Sequence, residues 1–97
     1  MKNLKFEWDI KKDKANVKKH GVSFNEARTA FYDEHAIIYH DPDHSEDEDR
    51  FILLGTSYRF NTLVVCHCFR QEETIIRVFS ARKADKDESE EYWRYRK

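Results

Sequence analysis

The chain has 97 residues, 18 Lys and Arg against 19 Asp and Glu, and a formal net charge of −1. Its length suits one domain over residues 1–97, and 14% aromatic residues supply the burial that a disordered chain lacks. Two glycines and one proline exclude collagenous and low-complexity architectures, and no apolar run approaches the ~20 residues that span a bilayer.

Met1-Lys2-Asn3-Leu4-Lys5-Phe6 carries no apolar signal segment, so a soluble cytoplasmic protein is expected. Phe6-Glu7-Trp8 alternates and predicts a short strand. Asp9 can cap a helix running to about His20, where Gly21 supplies a left-handed stop. Its apolar stripe is thin (Ile10, Ala15, Val17), with lysines over much of the remaining surface. Ser23-Phe24-Asn25-Glu26 spells a capping box, with Val22 and Ala27 as a hydrophobic staple. Phe24, Ala27 and Phe31 line one face of that second helix, which should end near Tyr32.

Ala36 to His40 reads as a strand that Asp41-Pro42 breaks. Three runs of β-formers follow: Arg50 to Tyr58, Thr62 to Phe69 and Thr74 to Ala81. Their short connections require antiparallel neighbours. Leu63-Val64-Val65-Cys66 is apolar on both faces, as suits a central strand. Asp85 and Glu88 open a last helix that carries Tyr92, Trp93 and Tyr95 and ends near Arg96. The expected fold is α+β: a short N-terminal strand, two N-terminal helices, an antiparallel four-stranded sheet and a C-terminal helix.

Net charge conceals segregation. Residues 1–22 hold seven Lys against three acids, and residues 33–50 hold eight acids against one Arg. A basic half can meet a polyanion despite the neutral total, although both segments also read as ordinary solvated surface. Cys66 and Cys68 flank His67, and alternate strand positions are poorly placed for a bridge, so two reduced thiols are expected.

His67 and Arg77 lie among β-branched residues, where a polar side chain needs a partner or an open face. If residues 69 and 73 pair, His67 comes beside Arg77. A slip by one residue moves it to the face of Ser80 and Arg82. Such residues suit metal-free RNA cleavage: Arg clamps phosphate with two parallel hydrogen bonds, and His moves a proton near neutral pH. Arg77, Arg82, Lys83 and His67, with Ser80 or Tyr92 as hydrogen bonders, can assemble such a site. Trp8, Trp93 or Tyr95 can stack bases. The ordinary alternative makes His67 a hydrogen-bonded sheet residue, Arg77 an ion-pair partner and the aromatics core.

No metal or other cofactor is expected. Asp41, Asp43, Ser45 and Asp47 match the first positions of a calcium loop, but Glu46 replaces the turn glycine and Ile52 the bidentate Glu. His40 and His44 are four apart, and Pro42 between them prevents a helix that would align them.

Read end to end, the chain resembles the BrnT family of toxins from bacterial type II toxin–antitoxin pairs. The matching pieces begin with Phe6-Glu7-Trp8-Asp9, Asn16, Lys19-His20-Gly21-Val22-Ser23-Phe24 and Glu26-Ala27. They continue with Asp41-Pro42-Asp43-His44-Ser45, Arg50, Gly55, Val64-Val65 and His67. The last are Arg77, Ser80-Ala81-Arg82-Lys83-Ala84, Glu91 and Tyr92. The resemblance departs at Asn25, where an acid is common, and at Cys66 and Cys68.

The resemblance implies a RelE-like fold and an RNA endonuclease that halts translation. It also implies neutralisation by a ribbon-helix-helix antitoxin of the BrnA type in a 2:2 heterotetramer. That complex would repress its own operon, so operator DNA is met only through the antitoxin. By analogy, the RNA 2′-hydroxyl attacks the adjacent phosphate, with Arg77 and Arg82 stabilising the phosphorane and His67 moving a proton. Ser80 and Tyr92 are secondary catalytic candidates, and Trp8, Lys83, Lys19 and Arg50 are candidate RNA contacts. The competing reading is a non-catalytic protein of the same fold that binds antitoxin or RNA without cleavage. A DNA regulator is disfavoured, because no helix-turn-helix or basic ribbon signature is evident.

Overall fold

The computed structural model describes residues 4–45 and 47–96. Met1 to Asn3, Lys97 and Glu46, the turn position of the calcium-loop comparison, lie outside the described residues. Lys5–Glu7 form a short strand, β1, after which the Asp9 carboxylate accepts from the N–H groups of Lys11 (2.7 Å) and Lys12 (3.3 Å) to open α1, Ile10–His20. Gly21 ends α1 at φ 71°, a conformation that favours glycine. The thin apolar stripe expected of α1 is not what docks it. Ile10 and Val17 are 67% and 44% exposed, and the residue α1 buries is Asn16.

Ser23 caps α2, Phe24–Ala30, by accepting from Glu26 N–H at 3.0 Å. The reciprocal half of the capping box is diverted. The buried Glu26 carboxylate accepts from Ser57 Oγ (2.7 Å) and Asn61 Nδ2 (2.9 Å), pinning the hairpin turn at 57–61 to the helix. After β2, Ile37–Asp41, a single 3-10 turn spans Pro42–His44. Then come β3, Arg50–Thr56, β4, Thr62–Arg70, and β5, Ile75–Lys83. The last helix, α3, covers Lys86–Tyr95 and has the full Asp85–Glu88 capping box.

The sheet order is β1-β5-β4-β3-β2. The expected four antiparallel strands are present as β2 to β5, with β4 central, but the sheet has five strands and is mixed. β1 pairs in parallel with β5, Phe6 opposite Ile76. A parallel partner is possible because two helices and three strands separate β1 from β5, leaving ample chain for the return.

Neither anticipated register of the last hairpin forms. The turn holds four residues, 71–74, so Arg70 pairs with Ile75 and Phe69 with Ile76. The register then shifts: His67 faces Val78 but Cys66 faces Ser80, leaving Phe79 as the extra residue of a bulge. The bulge keeps Val78 and Ala81 both in the core although they are three apart.

Opposite faces of the sheet meet different partners. One face carries Leu53, Leu63, Val65, Val78 and Ala81 against Val22, Phe24, Ala27 and Ala30 from the helical N-terminal half. Each large side chain buried here contributes about 1.5–3 kcal/mol. On the other face α3 covers only one end, where Tyr92 packs on Leu54 and Val64. The uncovered remainder of that face holds the candidate site.

Candidate functional site

Alternation along the strands places Ile52, Val64, Cys66 and Arg82 on the uncovered face, and the bulge adds Phe79 and Ser80. Together with Lys12, Asp41, His44 and Arg50 they line an open groove of about 370 Å³. Three cations therefore meet there from three elements: Lys12 from α1, Arg50 from β3 and Arg82 from β5. Arg50 lies over the Phe79 ring at 3.9 Å, and Lys12 approaches the same ring at 5.7 Å, so the bulged aromatic supports both. Arg82 is held in a fork by Glu88, at 2.7 and 2.8 Å, and this ion pair raises its already high pKa. Burial pushes the Cys66 thiol above its ordinary pKa, so it is a protonated wall of the groove at neutral pH.

Of the residues singled out in the sequence, Arg82, Ser80 and Arg50 converge on this groove. Arg77 shares the sheet face but is not among the residues lining the groove. Five residues along β5 place it roughly 15 Å from Arg82, where it pairs with Glu7 at 2.9 Å. Arg70 bridges Glu7 and Glu48 beside it, at 3.6 and 3.0 Å. Lys19 and Lys83 are exposed and do not line the groove.

His67, Tyr92 and Trp8 lie away from this groove. His67 lies on the opposite face, 0% exposed, inside a nest of Phe31, Phe51 and Phe69 rings. Its Nδ1 is 3.1 Å from Val65 O, its Nε2 has no hydrogen-bond partner among the described residues, and burial lowers its pKa to about 4. It reaches neither Arg77 nor Arg82. Tyr92 is fully buried beneath α3, where its hydroxyl donates to Asp33. Trp8 packs edge-on against Phe24 in the core. Arg77 is thus ion-paired, Tyr92 is buried, and Trp8 is half-buried against the core.

Lys12, Asp41 and His44 enter the groove without having been singled out for it. Asp41 closes β2 opposite Arg50, and its carboxylate has two tasks. Oδ1 accepts from Asp43 N–H at 3.2 Å, capping the 3-10 turn, and Oδ2 lies 2.8 Å from His44 Nδ1. Pro42 forbids a helix through 40–44 but is well suited to the first position of the short turn, which folds His44 back onto Asp41. The legible signal was Asp-Pro-x-His, a cap, a turn former and a side chain three residues on. Among the described residues, no three His, Cys, Asp or Glu side chains gather as metal ligands, and no helix is long and apolar enough to cross a membrane.

A small α+β domain thus presents a groove lined by Arg, Lys, His and Ser on the uncovered part of a mixed sheet. The family described as the ribonuclease toxin, BrnT, of type II toxin–antitoxin systems matches residues 8–88, and the chain belongs to that family. Membership implies an antitoxin partner and an RNA target. A 1.1 Å crystal structure of the Brucella abortus ribonuclease toxin, BrnT, is similar in fold, with a TM-score of 0.65 at 21% identity. The similarity covers 87% of this chain and all of that one. No curated protein matches in sequence.

Proposed function

We propose that the groove binds single-stranded RNA and cleaves it without a metal ion, through attack of a 2′-hydroxyl on the adjacent phosphate. The observation that carries this reading is the convergence of Lys12, Arg50 and Arg82 with Ser80 on one open surface. Charge on the phosphate grows as the phosphorane forms, so preorganised guanidinium donors stabilise that state more than the ground state. Arg82 is oriented by Glu88 and by the Lys83 carbonyl and keeps its Nε–H and second Nη2–H for phosphate oxygens, and Ser80 supplies a hydroxyl next to it. Arg77 and Arg70 lie further along the same face, where a neighbouring phosphate of the strand can be held; Lys19 and Lys83 contribute long-range attraction. The products are a 2′,3′-cyclic phosphate, or its hydrolysed form, and a 5′-hydroxyl.

The non-catalytic alternative draws on the same geometry, because Arg82 and Arg77 already have carboxylate partners. Incubation with labelled single-stranded RNA in EDTA separates the two. Cleavage leaving cyclic phosphate ends, reduced 100-fold or more in Arg82→Ala and Arg50→Ala, supports catalysis. RNA binding without cleavage, alone or on ribosomes, supports the alternative. The antitoxin is proposed to be a ribbon-helix-helix protein in a 2:2 complex that represses its own operon, which co-expression and sedimentation of the complex on operator DNA will test.

A further inference from the structure

Resting on the RNA-cleavage reading, the geometry points to His44 as the general base of the reaction, with Asp41 as its positioning residue. Cleavage needs a group that removes the 2′-hydroxyl proton, and His67 cannot serve from the opposite side of the sheet. His44 lines the same groove as Arg50, Ser80 and Arg82, and its side chain is 65% exposed, so substrate can reach it. Asp41 is only 12% exposed in its side chain and is fixed twice over, by the β2–β3 pairing and by the Asp43 N–H. It therefore holds the imidazole rather than following it. Accepting from Nδ1–H sets the tautomer that leaves a lone pair on Nε2, as a base requires.

In the proposed step His44 Nε2 takes the proton from the 2′-hydroxyl, and the 2′-oxygen bonds to phosphorus. The bond from phosphorus to the 5′-oxygen breaks, and that oxygen takes a proton from water. The imidazolium then returns its proton to the hydroxide so formed, so no oxidant, reductant or net proton is needed. Opposing charges surround the ring. Asp41 comes from the end of β2, and Asp43, Asp47 and Glu48 come from the segment that follows it. Lys12 comes from α1, Arg50 from β3 and Arg82 from β5, and the Cys66 thiol from β4 is neutral.

The test uses the full chain and labelled RNA, with a 2′-O-methyl RNA as the uncleavable binding probe. His44→Ala should lower cleavage at least 100-fold while binding the 2′-O-methyl strand within about twofold of wild type. Added imidazole should restore part of the activity. The wild-type rate should vary with pH in a way that His44→Ala does not reproduce. Asp41→Asn, checked for folding by thermal unfolding, should lower kcat 10-fold or more while KM stays within about twofold, and added imidazole should restore less of its activity than of His44→Ala's. Cleavage by His44→Ala within threefold of wild type, with an unchanged pH profile, overturns this assignment and leaves the groove's RNA chemistry standing. A wild type that cleaves no RNA, alone or on ribosomes, overturns both.

Discussion

Asn16 on α1 holds both backbone groups of Ala81 on β5, although they are 65 positions apart. Its Nδ2 donates to Ala81 O at 2.7 Å and to Val22 O at 2.8 Å, and its Oδ1 accepts from Ala81 N–H at 3.1 Å. β1 pairs only as far as Arg77, so this amide replaces the missing strand at the edge of β5. Ala81 lies between Ser80 and Arg82, and the same contact therefore steadies the wall of the groove. Asn16→Ala leaves the buried Ala81 groups unpaired and should cost about 2–4 kcal/mol in urea unfolding. Asn16→Asp, which faces two carbonyls with acceptors, should cost more.

Gly55 is required by close approach. A Cβ there would lie 3.0 Å from the carbonyl oxygen of Ala30 and 3.1 Å from Ala36 Cβ. Backbone cannot yield as a flexible side chain does, so Gly55→Ala should lower stability by about 1–3 kcal/mol, measured by the thermal midpoint.

His67 makes stability depend on acid. Its folded pKa, about 4, lies below the ordinary 6.5, so between those values the unfolded chain binds more protons. Its contribution is full above pH 6.5 and is lost as pH falls towards 4, by about 3 kcal/mol. His67→Phe should match or exceed wild-type stability at pH 7 and unfold at lower pH. Its cleavage of RNA should be unchanged, since the ring has no path to the groove.

If Arg82 holds phosphate as proposed, Glu88 competes with it for the guanidinium. Glu88→Gln keeps an acceptor for Asp85 N–H and removes the charge that faces the guanidinium. RNA binding should tighten several-fold, with little loss of helix stability, as read by fluorescence titration beside circular dichroism.

The proposed contact of the three groove cations with single-stranded RNA predicts a salt dependence. Log K against log[salt] should fall with a slope of about −2, and Arg82→Ala should reduce that slope by about 0.7. An unchanged slope would place the RNA elsewhere.

Much of this architecture was legible without coordinates where its cause is local. Asp9, Gly21, Ser23 and the Asp85–Glu88 pair mark helix ends because capping acts within four residues. The apolar run at 63–66 identified the central strand because burial on both faces removes alternation. Ser80 and Arg82 were named together because alternation puts them on one face of one strand, whereas Arg50 came from the resemblance alone.

The tertiary structure alone decided which of these residues meet. The parallel pairing of β1, the turn of four residues at 71–74 and the bulge at Phe79 are non-local. One residue of register sends a side chain to the other face, so the exclusion of His67 and the arrival of His44 could not be read from order along the chain. Capping, periodicity and composition belong to the sequence because each rests on neighbours in it. The groove belongs to the fold, because its cations come from α1, β3 and β5, and only packing brings those together.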